Sequence, residues 1–247
     1  MPRPSTHPSL SDQDPAPQGA AAVDRALSLL CAWRPGDAAL GLAELAQRTG
    51  LHKSTALRGL ASLVHAGLLQ RQADGLYRPG PEIARLHAVY AAQFSIDQVV
   101  LPVLQDLVRA TGESAAYHVR QGHAPRQTRL CLFRVDSPQP VRDHIRAGDL
   151  LPLERGAGGR VLSAFGAGND VHRPSVDERR LYARIRADGY FASRGDRLAG
   201  VAGISAPVFD THGQIAAALT LTLPEHRWQE SHAAQVLSAA RRLSGLV

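Results

Sequence analysis

Residues 42–77, LAELAQRTGLHKSTALRGLASLVHAGLLQRQADGLY, constrain the fold more than any other stretch of the chain. Leu42, Leu45 and Ala46 recur at helical spacing, with Gly41 in place as a cap. Gly50 ends that helix, because the sharp turn after it favours a residue free to take positive φ. A second helix starts near His52. Ala56, Leu57, Leu60, Leu63 and Val64 form its apolar face, which leaves Lys53, Ser54, Thr55 and Arg58 outside the stripe. Gly67 stops it, and residues 69–72 and 76–78 flank Ala73-Asp74-Gly75, a hairpin turn signal. Helix, turn, helix and hairpin in this order predict a winged helix-turn-helix, whose second helix fits the width of a DNA major groove.

Charge supports that reading locally. Between residues 45 and 80, Arg48, Lys53, Arg58, Arg71 and Arg78 stand against Asp74 alone, and Lys53 is the only lysine in the chain. Arg71 and Arg78 bracket the hairpin, where a wing would lie along phosphates. The formal charge of +6 is compatible with a polyanionic partner such as double-stranded DNA. Cys31 and Cys131 form no metal-ligand or redox spacing, so a reducing, cytoplasmic location is expected. No segment offers the ~18 uninterrupted apolar residues of a membrane span. The first 19 residues carry five prolines among polar spacers and read as a disordered tail.

Residues 21–33, AAVDRALSLLCAW, predict an amphipathic helix with Val23, Leu27 and Leu30 on one face, able to close the core of a winged module over residues 20–80. Pro81 sits at the first turn of a linker helix over 81–95, whose apolar residues are Ile83, Leu86, Val89 and Tyr90. A further helical run, 96–109, contains Pro102, which marks a kink or a restart. The pattern then changes to short β-rich runs over 115–119, 129–135 and 141–145. LPLERGAGGRVLSAF, residues 151–165, is a glycine-rich loop running into a helix, and 178–188 is another helix. Residues 200–209 and 215–223 are two strands joined by Asp210-Thr211-His212-Gly213, and a last helix places Ala233, Val236, Leu237, Ala240 and Leu243 on one side. Strands mixed with flanking helices give an α+β sensor domain over 96–247.

The glycine-rich loop, Arg155-Gly156-Ala157-Gly158-Gly159-Arg160, can offer backbone N–H groups to a small anion at a helix start. It lacks the Lys-Ser/Thr pair of a P-loop and is not GxGxxG. Eleven histidines are scattered without HExxH, and Ser163 and Ser205 lie outside any GxSxG, so no catalytic residue, metal site or cofactor is expected. His118, His123 and His144 could converge in three dimensions, though surface or hydrogen-bonded roles are the simpler reading. Thr220 and Thr222 alternate to one face of a strand, so both hydroxyls can point at one ligand. An enzyme, or a protein-interaction module carrying a winged helix, stands as the alternative class.

From Ala20 onward the chain resembles the IclR family of bacterial transcriptional regulators. The resemblance rests on AVDRALSLL, LAELAQRTGLHKSTALRGLASLVHAGLL, DGLYRPGPEI, VLPVLQDLVRATGES, VDSPQPVR, LPLERGAGGRVLSAF, GVAGISAPVFDTHGQIAAALTLTLP and the closing helix, in that order. It implies an N-terminal winged helix-turn-helix domain and a C-terminal GAF-like effector-binding domain, working as a homodimer or homotetramer on an operator. It implies a DNA-binding surface at Lys53, Ser54, Thr55, Arg58, Arg71 and Arg78. It further implies a small-molecule effector held near Leu151, Ala157, Gly158, Ser193, Gly203, Thr220 and Thr222, with a small carboxylated metabolite favoured. The chain departs from the family where a common cysteine is Gly203, where the acidic run before it reads Ser193-Arg194-Gly195-Asp196, and where the loop lysine is Arg160. The stretch between Phe165 and Asp188 is also shorter than usual.

Overall fold

The computed structural model describes residues 9–13, 15–94, 96–122, 127–166 and 174–247, with the side chains of 92–94 left aside. The chain divides into two compact units, residues 1–94 and 95–247.

In the first unit, α2 (Ala21–Leu30), α3 (Leu42–Thr49) and α4 (Lys53–His65) pack on a two-stranded antiparallel hairpin, β1 (Leu69–Arg71) and β2 (Tyr77–Pro79). Gly50 takes the left-handed conformation (φ 69°) that lets the chain turn between α3 and α4. Leu29, Leu45, Ala56, Leu60, Leu63, Leu69 and Tyr77 form the core. At Gly59 a Cβ would lie 2.8 Å from Leu29 Cδ1 and 3.7 Å from Ala26 Cα, so a larger residue there would push the Leu29 side chain aside. The helix α5 (Pro81–Phe94) ends the unit.

Three expectations need correction here. Leu57 is on the flank of α4 and stays 45% exposed, so it lies outside the core stripe. In α2 it is Leu29 that is fully buried, while Val23 and Leu27 face outward; the helix ends at Leu30, short of Trp33. Within the stretch read as a disordered tail, α1 (Leu10–Gln13) forms one helical turn, fixed to α2 by the Arg25–Asp12 ion pair at 2.7 Å.

The second unit is a six-stranded antiparallel sheet in the order β5-β4-β3-β8-β7-β6. Its strands are β3 (Ser114–Gln121), β4 (Thr128–Val135), β5 (Leu150–Pro152), β6 (Phe191–Arg194), β7 (Val201–Phe209) and β8 (Ile215–Pro224). Successive side chains of a strand point to opposite faces. One face carries Ala115, Tyr117, Ala202, Ile204, Ala206, Val208, Leu219, Leu221 and Leu223, and packs against α6 (Ile96–Thr111) and α9 (Ser231–Leu243). The other face meets α7 (Ala157–Phe165), on which α8 (Val176–Asp188) packs in turn. There Val161, Leu162, Tyr182, Ile185 and Ala218 form a smaller apolar cluster.

The helix α6 runs through Pro102 without a break in its span. Residues 141–145, read as a strand, pair with no strand. Asp143 turns inward instead, to ion pairs with Arg134 and, at 3.5 Å, Arg197. The edge of the sheet is taken by β5, and the short β6, which the sequence reading omits, closes the other side. None of the described helices is long and apolar enough to cross a membrane.

Candidate functional site

The strand register lines up small and polar residues beneath the start of α7. Ser193 pairs with Gly203, Gly203 with Thr222, and Thr222 with Ser114, making one row across four strands. The next row is Ser205, Thr220 and Ala116. Ser205 Oγ lies 3.0 Å from Thr220 Oγ1 and donates to the Leu219 carbonyl, also at 3.0 Å. Gly156, whose backbone (φ 77°, ψ 154°) is open only to glycine, brings the chain into α7. Its N–H donates to Asp196 Oδ2 at 2.6 Å, and no side chain caps α7. The first-turn amides of a helix have no intrahelical partner, so this end of α7 presents donors and a partial positive charge.

Ala157, Gly158, Ser193, Gly203, Thr220 and Thr222 all line one cavity of about 20 Å³. Leu151, grouped with them on the sequence, is not in the lining; it packs against Ala116, Cys131 and Ile145. Arg129, Ile145, Gly156, Arg197, Val201 and Ala202 complete the wall.

Arg129 is the residue that sequence reasoning missed. It lies in β4 on the same side as Cys131 and is 2% exposed. Its Nε donates to the Pro152 carbonyl at 3.3 Å. Among the described residues no carboxylate lies within ion-pairing distance of it: Asp143 is held by Arg134 and Arg197, and Asp196 by Arg160. Burial, and then the neighbouring charge of Arg197, push its pKa down to about 10, so the guanidinium is still charged at neutral pH. His118 of β3 is 1% exposed, and neither ring nitrogen has a hydrogen-bond partner among the described residues. Burial, and then Arg129, Arg134 and Arg197, hold its pKa well below the ordinary value, so the imidazole is neutral. The signal that could have exposed both is an ionisable residue in mid-strand among apolar neighbours, in TRLCLFRV and SAAYHV. His144 is exposed and does not join His118; His123 lies outside the described residues.

In the first unit, α4 opens with His52 as N-cap and has no acidic residue in its first turn. A cation at a helix N-terminus is unfavourable by itself, and an anion docked there relieves it. Lys53, Ser54 and Arg58 are exposed, and Thr55 and Arg58 line a groove of about 320 Å³ with Ala22, Arg25, Ala26, Gly59 and Ser62. On the hairpin, Arg78 donates to Gln70 Oε1 at 2.8 Å, and Arg71 lies 5.9 Å from the Tyr77 ring centroid. Arg48, by contrast, is occupied within the unit by Asp37, Glu44 and the Ala32 carbonyl.

Comparison with known proteins meets this geometry at both ends. The family model described as the IclR helix-turn-helix domain matches residues 22–73, and that described as the bacterial transcriptional regulator IclR C-terminal matches residues 178–245. The chain belongs to the IclR family. A glycerol operon regulatory protein of Streptomyces coelicolor is 29% identical over 215 residues, covering 81% of this chain and 83% of that protein. The transcriptional regulator KdgR of Escherichia coli is 24% identical over 255 residues, covering 95% of each. An IclR homologue from Microbacterium hydrocarbonoxydans, solved in complex with 4-hydroxybenzoate, superposes with a TM-score of 0.76 at 24% identity, covering 90% of this chain and 97% of that one. This IclR-type chain is a DNA-binding transcriptional regulator, an α+β protein with a helix-turn-helix domain followed by a domain of antiparallel sheet and helices. The family is one of regulators, not of enzymes.

Proposed function

We propose that this IclR-type regulator senses a small carboxylated metabolite in the cavity under α7 and thereby changes its affinity for an operator. One observation carries the reading: a buried, charged Arg129, without a carboxylate partner among the described residues, stands at the start of α7. Burying an unpaired charge costs several kcal/mol, a cost that an anionic ligand offsets. The ligand-bound homologue from Microbacterium, whose ligand is a small carboxylate, supports the same class. The cavity is small, so binding a ligand of even a few atoms requires α7 or the 195–200 loop to give way.

In this reading the protein is cytoplasmic and acts as a homodimer or homotetramer. Two copies of α4 enter successive major grooves, with Ser54, Thr55 and Arg58 at bases or phosphates and Lys53, Arg71 and Arg78 on phosphates. The helix α5 is the linker through which the effector alters the spacing of the two winged modules. Couplings of this kind are about 1–3 kcal/mol, or roughly 5–150-fold in affinity.

The test is fluorescence-anisotropy titration of DNA from beside the protein's own gene, against random duplex, across a salt series. An affinity about 10³–10⁷ tighter for the former is expected. Arg58→Ala should lower the affinity by about 1–3 kcal/mol and relax sequence preference, whereas Arg78→Ala should weaken all duplexes alike and reduce the salt slope by about one. Equal binding of both duplexes by Arg58→Ala and wild type would rule out Arg58 as a base reader.

A further inference from the structure

The bare α-carbon of Gly158 is the point on which the buried polar atoms of this face converge. A Cβ built there would lie 2.8 Å from Thr220 Oγ1, 2.9 Å from Arg129 Nη1 and 3.5 Å from His118 Nδ1. Arg129 Nη2 stands 3.0 Å from the corresponding position on Gly156. Arg129 and His118, both 98% or more buried, thus approach the same wall residue, Gly158; Arg129 lines the cavity itself and His118 does not. Arg129 asks for an anion. His118 asks for something else: a neutral imidazole has one N–H donor and one lone pair, and both are without a partner among the described residues. Of the two ring nitrogens only Nδ1 is placed at Gly158; a hydroxyl can pair with it in either tautomer, because it can donate or accept, whereas a carboxylate oxygen pairs only with the tautomer protonated on Nδ1.

We propose that the effector is a short hydroxy acid, its carboxylate on Arg129 and the first-turn amides of α7, and its hydroxyl on the neighbouring carbon against His118. This rests on the reading of the cavity as the effector site and narrows it to one chemical class. Thr220 Oγ1, already engaged with Ser205, also lines this small cavity, whose size limits the ligand to a short skeleton. Arg129 supplies the affinity for acids. His118 supplies the preference for the hydroxylated acid over its deoxy counterpart, since leaving a buried imidazole unpaired beside the ligand is costly.

The experiment is isothermal titration calorimetry of the full chain with matched triplets of two, three and four carbons: glycolate, acetate and glycolamide; lactate, propionate and lactamide; 2-hydroxybutanoate, butanoate and 2-hydroxybutanamide. At least one hydroxy acid should bind roughly tenfold tighter than its deoxy partner. Its uncharged amide should bind more weakly still. His118→Leu should bring the hydroxy acid down to the level of the deoxy acid, and His118→Gln, which keeps a donor and an acceptor, should restore part of the preference. Arg129→Met should weaken every acid by roughly 100-fold. Circular dichroism and Tm confirm that each variant is folded.

Equal affinity for hydroxy and deoxy acids, equal affinity for acid and amide, or no binding of any hydroxy acid overturns the proposal. Gly158→Ala separates that failure from failure of the site itself. If the wild type binds a deoxy acid or an amide and Gly158→Ala abolishes it, the cavity stands as the effector site and the hydroxy-acid class falls. If binding of a probe survives Gly158→Ala unchanged, the cavity is not where it binds.

Discussion

The two faces of the second unit's sheet are made from alternate residues of the same strands, yet they are built to opposite rules. Along β8, Leu219, Leu221 and Leu223 point to α6 and α9, while Ala218, Thr220 and Thr222 point to the α7 side. Along β7, Ile204, Ala206 and Val208 oppose Gly203 and Ser205. The first face has leucine, valine and alanine in continuous contact with two helices. The second holds a buried arginine, a histidine without partners among the described residues and a row of hydroxyls under a glycine-rich loop. Stability resides on one face; on the proposed reading of the cavity, the other gives some of it up for recognition of a ligand. Removing the buried charge of the polar face should therefore differ in sign from removing a leucine of the apolar face, not only in size.

The largest effect is expected on the apolar face. Leu221→Ala removes a fully buried side chain and should lower stability by about 2–5 kcal/mol, read by urea denaturation. On the polar face, Arg129→Met should leave stability unchanged or raise it by about 1–4 kcal/mol, because it removes a buried charge with no described counter-ion. A large loss in Arg129→Met would erase the contrast between the faces.

The next effect is a pH dependence. His118 is neutral when folded, with its pKa below the ordinary 6.5. The unfolded chain thus binds a proton that the folded chain does not, so this stability is complete above pH 6.5 and is lost as pH falls toward the folded pKa. The stability of the wild type should fall more steeply than that of His118→Leu in this window, by up to about 1.4 kcal/mol per pH unit. Parallel stability–pH curves would show that His118 is not held neutral. The smallest effect is Ser205→Ala, which removes the hydroxyl bonded to Leu219 and Thr220 and should cost about 0.5–1.5 kcal/mol by the same denaturation assay.

The contrast between faces also explains what could be read in advance. The β7–β8 hairpin is legible because Asp210-Thr211-His212-Gly213 is a turn with Gly213 at positive φ between two apolar runs. The helix α4 is legible from its periodicity and from Gly50, but periodicity gives a stripe without saying which edge is covered, so Leu57 is misassigned. Residues 141–145 have the apolar ends of a strand, and only the tertiary pull of Arg134 and Arg197 on Asp143 shows that they form none. Ala157, Gly158, Ser193, Gly203, Thr220 and Thr222 come together around one cavity because glycine and hydroxyl residues keep their position in the register. Arg129 stays hidden, and His118 reads as a surface or hydrogen-bonded histidine, because an ionisable residue in a strand suggests surface and nothing local tells that α7 will cover it.

The most direct test of the account is the response of operator binding to a bound acid in wild type and in Gly158→Ala. With DNA from beside the protein's own gene, and whichever acid of the triplets binds the wild type, anisotropy should show the wild-type affinity shifting by roughly 5–150-fold on saturation. A Cβ at Gly158 would meet Thr220 and Arg129 at 2.8 and 2.9 Å, so the variant should show no shift. A shift of undiminished size in Gly158→Ala would contradict the claim that the polar face beneath α7 is where the effector acts.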